Sequence, residues 1–205
     1  MGTLLDAMIA EAEAYLAVAD PLFPPLIARH GPCALGRQDN LFGALVSSII
    51  SQQISVKAAD SIERRFIATL GGTLDPALID PLPDTTLRAV GLSGAKVAYI
   101  RDLAARVTDG RLDLAALPAL GDEAVIAALL PVRGIGRWTA EMLLMFALGR
   151  PDVLPVDDNG LRRAMERRCG LPAPARPAAM IAHAAPWRPH RSVATWYLWR
   201  SLSDP

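Results

Sequence analysis

Cysteine and lysine are nearly missing from this chain. Cys33 and Cys169 stand 136 positions apart with no Cys-x-x-Cys spacing. That excludes an all-cysteine zinc or iron-sulfur site within one chain and offers no disulfide framework, so both read as buried thiols. Lys57 and Lys96 are the only lysines, which leaves few candidates for amine chemistry. No apolar run approaches the ~20 residues of a membrane span. The start, Met1-Gly2-Thr3-Leu4-Leu5-Asp6, has no basic segment leading an apolar one, so a cytoplasmic protein is expected. Strand-like alternation is also absent, and the expected fold class is all-α.

What is present describes a folded globular chain. Of its 205 residues 52% are hydrophobic and 20% charged, enough apolar surface for one domain or two small lobes sharing a cleft. The formal net charge is zero, which by itself speaks against a nucleic-acid partner. The charge is uneven, however. Residues 1–132 carry 10 basic against 15 acidic side chains, and residues 133–205 carry 11 against 6, so a basic face can be built from the C-terminal third.

Helical spacing runs through the chain. Thr3 to Ala19 has an amphipathic pattern, and Asp20-Pro21 introduces a short helix from Leu22 to Ala28. Residues 33–40 form a polar connection. Leu41 to Ile50 is apolar on a broad face and is interrupted at Ser51-Gln52-Gln53-Ile54, after which Ser55 can cap a helix reaching Leu70. Residues 73–86 read as a loop, Leu87 to Val90 as a short helix, and Gly94 to Thr108 as a longer one. After a proline-rich connector at 171–177 come a short helix from Met180 to Ala185 and a last helix from Arg191 to Leu202. Three of the four tryptophans lie in the final 20 residues.

The stretch from Asp122 to Met165 carries the strongest chemistry. An apolar helix leads into Pro131-Val132-Arg133-Gly134-Ile135-Gly136, and a second opens at Arg137-Trp138-Thr139. Gly134 and Gly136 let the backbone turn sharply and let another molecule approach its amides. The N-terminus of the following helix presents unpaired N–H groups and the positive end of its dipole, a site suited to a phosphate. An ordinary helix-helix turn would use the same glycines. Beyond it lie adjacent carboxylates, Asp157 and Asp158.

The run from Leu130 to Ala140, with Asp158 standing 20 positions after Trp138, resembles the helix-hairpin-helix (HhH-GPD) DNA glycosylases. Within them it is similar to the 3-methyladenine DNA glycosylase II, AlkA-like branch. Ile49-Ile50-Ser51-Gln52-Gln53-Ile54-Ser55-Val56 resembles that branch's wedge loop, and Trp187-Arg188-Pro189-His190-Arg191-Ser192 its C-terminal helix. The likeness covers roughly residues 20–202.

The resemblance implies one two-lobed unit without the N-terminal β lobe of some relatives. One lobe would join residues 1–39 to 150–205. The other, residues 40–149, would hold the wedge loop at 51–54 and the helix-hairpin-helix at 122–149. It implies a monofunctional glycosylase for alkylated purines in double-stranded DNA, acting as a monomer in base excision repair. Asp158 would be catalytic, assisting water or stabilising an oxocarbenium-like sugar. Asp157 would cap the helix Gly160 to Cys169. Strand-cutting relatives carry a Schiff-base lysine where Trp138 stands, so no lyase activity is expected.

Trp138, Trp199, Tyr197 and Met142 are the implied pocket residues, because an aromatic face attracts a cationic base. Met142 and Arg200 depart from the residues of a relative. Gln53 or Gln52 would fill the gap left by a flipped base. Gly134, Gly136, Arg137, Thr139 and Arg191 would contact the DNA backbone. Carbonyls of Leu130, Val132 and Gly134 would take a structural sodium or potassium ion, with no other cofactor required and no zinc or iron-sulfur cluster. The alternatives are a glycosylase for a deaminated, etheno or oxidised base, and a non-catalytic module that only grips DNA backbone.

Overall fold

The computed structural model describes residues 4–204, and among them eleven α-helices and three short 3-10 turns form with no strand. The chain divides into two compact units, Met1–Arg37 with Leu148–Pro205, and Gln38–Ala147. Both boundaries fall two residues before those the sequence suggested. Gln38 N–H donates to the Ala147 carbonyl at 3.0 Å, so the ends of the inner unit are tied to each other.

The discontinuous unit contains α1 (Leu4–Ala19), α2 (Phe23–His30), α9 (Asn159–Cys169), α10 (Pro177–His183) and α11 (Arg191–Ser201). Helix α11 is its centre and packs on α9, α2 and α1. Leu16, Phe23, Leu161, Met165, Trp187 and Leu198 are fully buried there. Trp187 meets Phe23 edge-on at 5.3 Å and donates its indole N–H to Asp20 at 2.9 Å, so the ring is core and its one polar atom is satisfied. Helix α10 begins at Pro177, three residues before the apolar pattern starts, because proline fits a first helical turn.

The inner unit contains α3 (Leu41–Ser51), α4 (Val56–Thr69), α5 (Asp84–Ala89), α6 (Gly94–Thr108), α7 (Asp122–Leu129) and α8 (Arg137–Phe146). Side chains cap the first, second and fourth of these: Asn40 accepts from Gly43 N–H at 2.8 Å, Ser55 from Ala58 at 3.4 Å and Ser93 from Lys96 at 3.3 Å. Helix α3 is apolar nearly all round and packs on α4, α6 and α8. Its Leu45, Val46, Ile49 and Ile50 are fully buried. The loop expected at 73–86 contains a 3-10 turn at Pro76–Leu78, and α5 starts at Asp84 behind Pro83. No helix among the described residues is long and apolar enough to cross a membrane.

Candidate functional site

In the inner unit, α7 ends at Leu129 and α8 opens at Arg137, so the hairpin spans the residues between them. Gly134 has φ +79°, and a Cβ there would lie 2.2 Å from the Tyr99 ring. Only glycine fits that place. Gly136 differs: its φ is −101° and no atom of the protein crowds a Cβ there. It serves as the N-cap of α8, whose first helical bond runs from Ala140 N–H to Gly136 O. The amides before Ala140 have no acceptor within the helix, the geometry that suits an anion.

Arg137 stays part-exposed but is paired within the protein, and the Thr139 side chain is buried. Arg137 pairs with Glu123 and, at 3.1 Å, with Glu141, so a phosphate must compete with two carboxylates. The Glu123 partner is also the main reason the Arg137 pKa is raised. Thr139 is 3% exposed, because the second residue after Arg137 turns inward where α8 packs.

The wedge loop lies on the same unit. Gln53 is the only non-glycine described residue with positive φ, at 58°, and its side chain is exposed. Gln52 is turned elsewhere: its Nε2 donates to the Gly134 carbonyl at 3.0 Å. The two glutamine side chains therefore differ: Gln53 is exposed, and Gln52 is bonded to the hairpin. Lys96 donates to the carbonyls of Ile50 at 2.7 Å and Gln52 at 2.8 Å, and burial lowers its pKa. Asp102 accepts from Arg133 N–H at 2.8 Å. Burial acts to raise the Asp102 pKa, but the Arg133 amide and Arg106 outweigh it and the pKa is lowered. Sequence reasoning missed Tyr99 and Asp102 entirely and noted Lys96 only for its rarity, the one signal available.

Trp138 and Met142, one turn apart on α8, line a hollow of about 320 Å³ together with Ser47, Ser51 and Glu63. Trp138 is 38% exposed, unusual for so large a ring. Ser47 Oγ is hydrogen-bonded to Glu63.

The discontinuous unit holds the carboxylates. Asp158, not Asp157, is the N-cap of α9: its Oδ1 accepts from Leu161 N–H at 2.6 Å. Asp157 is exposed one residue earlier, too far out to reach the first turn. Trp199 of α11 donates its indole N–H to the same Oδ1 at 2.8 Å. Two donors on different helices fix the Asp158 carboxyl. Gly160 faces this contact, since a Cβ there would lie 3.0 Å from Asp158 Oδ1 and 3.2 Å from Trp199 Cδ1.

Two other expected residues are committed elsewhere. Tyr197 is fully buried, donating its hydroxyl to Glu13 at 2.6 Å and lying 2.9 Å from the Gly31 carbonyl. Burial is the main cause of its strongly raised pKa, and it belongs to the core rather than to a pocket wall. Arg191 is 9% exposed and clasps Asp152, with Nε to Oδ1 at 2.5 Å and Nη2 to Oδ2 at 2.9 Å. Its Nε and Nη2 are taken up by Asp152, so a phosphate would have to compete with that carboxylate. Arg188 shares that carboxylate at 2.8 Å.

A family model described as HhH-GPD superfamily base excision DNA repair protein matches residues 46–189, more than half of the chain. The chain belongs to the HhH-GPD superfamily. The matched span takes in the wedge loop, the hairpin and the Asp158 cap. A putative DNA-3-methyladenine glycosylase, YfjP, of Bacillus subtilis is 32% identical over 184 residues, covering 86% of this chain and 64% of that protein. The chain thus spans under two thirds of that relative's length. Two solved structures are similar over most of both chains. A DNA-3-methyladenine glycosidase from Bacillus halodurans has TM-score 0.80 and 38% identity, covering 93% of this chain and 88% of its own. The Schizosaccharomyces pombe 3-methyladenine DNA glycosylase Mag1, in complex with abasic DNA, has TM-score 0.83 and 30% identity over 93% and 96%.

Proposed function

We propose that this HhH-GPD chain is a monofunctional DNA glycosylase that hydrolyses the N-glycosidic bond of alkylated purines, 3-methyladenine and 7-methylguanine among them, in double-stranded DNA. The observation that carries the reading is the Asp158 carboxyl, pinned through one oxygen by Leu161 N–H and the Trp199 indole. A glycosidic bond breaks through a sugar with oxocarbenium character, and a preorganised carboxylate stabilises that charge and orients the attacking water. Alkylation at N3 or N7 makes the purine cationic and a good leaving group, so no strong general acid is needed. The similar B. halodurans and S. pombe proteins bear glycosidase and glycosylase names for 3-methyladenine, which supports the substrate class.

The other groups take supporting roles. Gln53 enters the duplex as the nucleotide flips. Trp138 offers a half-exposed ring to an electron-poor base. No amine stands where Trp138 stands, so no Schiff base forms and the product is an abasic site. The hairpin holds a backbone phosphate and reads no sequence. A monovalent cation suits its outer carbonyls: Val132 O accepts from Ile135 N–H at 3.1 Å and Gly134 O accepts from Gln52, which leaves each a second lone pair beside Leu130. When bound, such an ion would add positive charge beside the phosphate.

Single-turnover incubation with duplexes containing 7-methylguanine, 1,N6-ethenoadenine or hypoxanthine tests the reading. Release of free 7-methylguanine, leaving an intact alkali-labile strand and no adduct trapped by borohydride, is expected. Preference for either of the other bases would move the substrate class, and binding without any release would leave only a DNA-backbone module.

A further inference from the structure

Helix α6 presents two adjacent stripes with different addresses. Val97, Ile100, Leu103 and Ala104 are buried in the core of the inner unit. Beside them, Lys96, Tyr99 and Asp102 recur at three-residue spacing, half-buried, and each meets backbone outside the helix. Lys96 holds the carbonyls of Ile50 and Gln52 where α3 ends. The Tyr99 ring occupies the space a Cβ on Gly134 would need, so the lack of a Cβ is what admits it. Asp102 receives the Arg133 amide. Between the two loops, 82 positions apart in sequence, Gln52 Nε2 closes the circuit onto the Gly134 carbonyl.

We propose that Lys96, Tyr99 and Asp102 are positioning residues that fix the wedge loop against the hairpin, so that seating a phosphate in the hairpin aims Gln53 at the duplex. The proposal rests on the glycosylase reading of these loops. A C-terminal carbonyl of α3 would ordinarily be met by water or by a capping residue of its own chain segment. Here an ammonium from another helix meets the carbonyls of Ile50, in the last turn of α3, and of Gln52 just beyond it, and Gln53 follows at once in its left-handed conformation. Core packing alone does not require this, because Lys96 and Asp102 reach the backbone of the two loops. The two ends of the stripe do different work: Lys96 governs the projection of Gln53, and Asp102 governs the set of the hairpin amides.

The test compares 7-methylguanine paired in a duplex with 7-methylguanine opposite a tetrahydrofuran abasic site, where the base needs no wedge to leave the stack. Lys96→Met, which keeps the stem and removes the donor, should lower single-turnover release from the paired lesion about tenfold or more while changing release from the unpaired one by less than about twofold. Lys96→Arg should recover the paired rate. Gln52→Ala, which removes only an exposed link, should show the same split. Asp102→Ala should instead raise the dissociation constant for both duplexes about tenfold, with Asp102→Asn restoring it through the retained carbonyl acceptor. Equal loss on both lesions, or loss on neither, in Lys96→Met and Gln52→Ala would overturn the proposal. Absence of release by the unmodified protein would instead refute the glycosylase reading beneath it.

Discussion

Replacing Gly160 by alanine sets two effects of opposite sign against each other. Gly160 is the second residue of α9, where alanine is the better helix former, and a compatible Gly→Ala change stabilises by ~0.4–1 kcal/mol. The new Cβ, however, would sit 3.0 Å from Asp158 Oδ1 and 3.3 Å from Trp199 Nε1. Both atoms belong to the hydrogen bond that fixes the carboxyl, so the pair must open by a few tenths of an ångström. Weakening a bond to a charged acceptor costs ~1 kcal/mol, which roughly cancels the helix gain. For a chain of this length the melting temperature should then stay within about 3 °C of the parent. Catalysis has no such compensation. A 1 Å misplacement can cost ~100-fold, so a shift of a third of that should slow release about threefold to tenfold. Calorimetry and single-turnover release of 7-methylguanine, run on the same preparations, measure the two. An unchanged rate at unchanged melting temperature would refute the claim that the Asp158–Trp199 contact sets the carboxyl.

Gly134→Ala should be far more damaging, since its Cβ would overlap the Tyr99 ring at 2.2 Å on backbone with φ +79°. Denaturant unfolding should show a loss of about 2–4 kcal/mol, and a loss under about 1 kcal/mol would mean the hairpin can lift off Tyr99. Arg191→Ala should lower stability by about 2 kcal/mol by leaving Asp152 to Arg188 alone, yet leave the dissociation constant for DNA within about twofold. A large fall in DNA affinity would return Arg191 to the interface. Burial pushes the Cys33 and Cys169 thiols up to about 12 from an ordinary 9.0. Because the folded thiols hold their protons more tightly, this contribution is intact below pH 9 and is lost as pH rises toward 12. Thermal stability should therefore fall across that window, and fall less in a Cys33→Ala, Cys169→Ala double variant.

The helices were legible because periodicity and caps are local. Ser55 begins α4 where an N-cap should, and the apolar run before Ser51 is buried as its breadth required. The boundaries that slipped were those held by proline, at α5 and α10, where the apolar pattern begins after the helix does. At the site, motif spacing reached Asp158, but which aspartate caps α9 depends on a one-residue choice that only backbone geometry decides. Tyr197 and Arg191 were misread for another reason. Their partners, Glu13 and Asp152, lie 184 and 39 positions away, and nothing local distinguishes a committed side chain from an available one. The bracing of the wedge loop by Lys96 was hidden in the same way.

The most direct test of the central claim is Asp158→Asn. The amide keeps an oxygen for Leu161 N–H and Trp199, and asparagine caps a helix about as well as aspartate, so folding and DNA binding should be retained. With the charge gone, single-turnover release of 7-methylguanine from duplex DNA should fall at least about a hundredfold. Unimpaired release by the folded variant would contradict the assignment of Asp158 as the group that drives base excision.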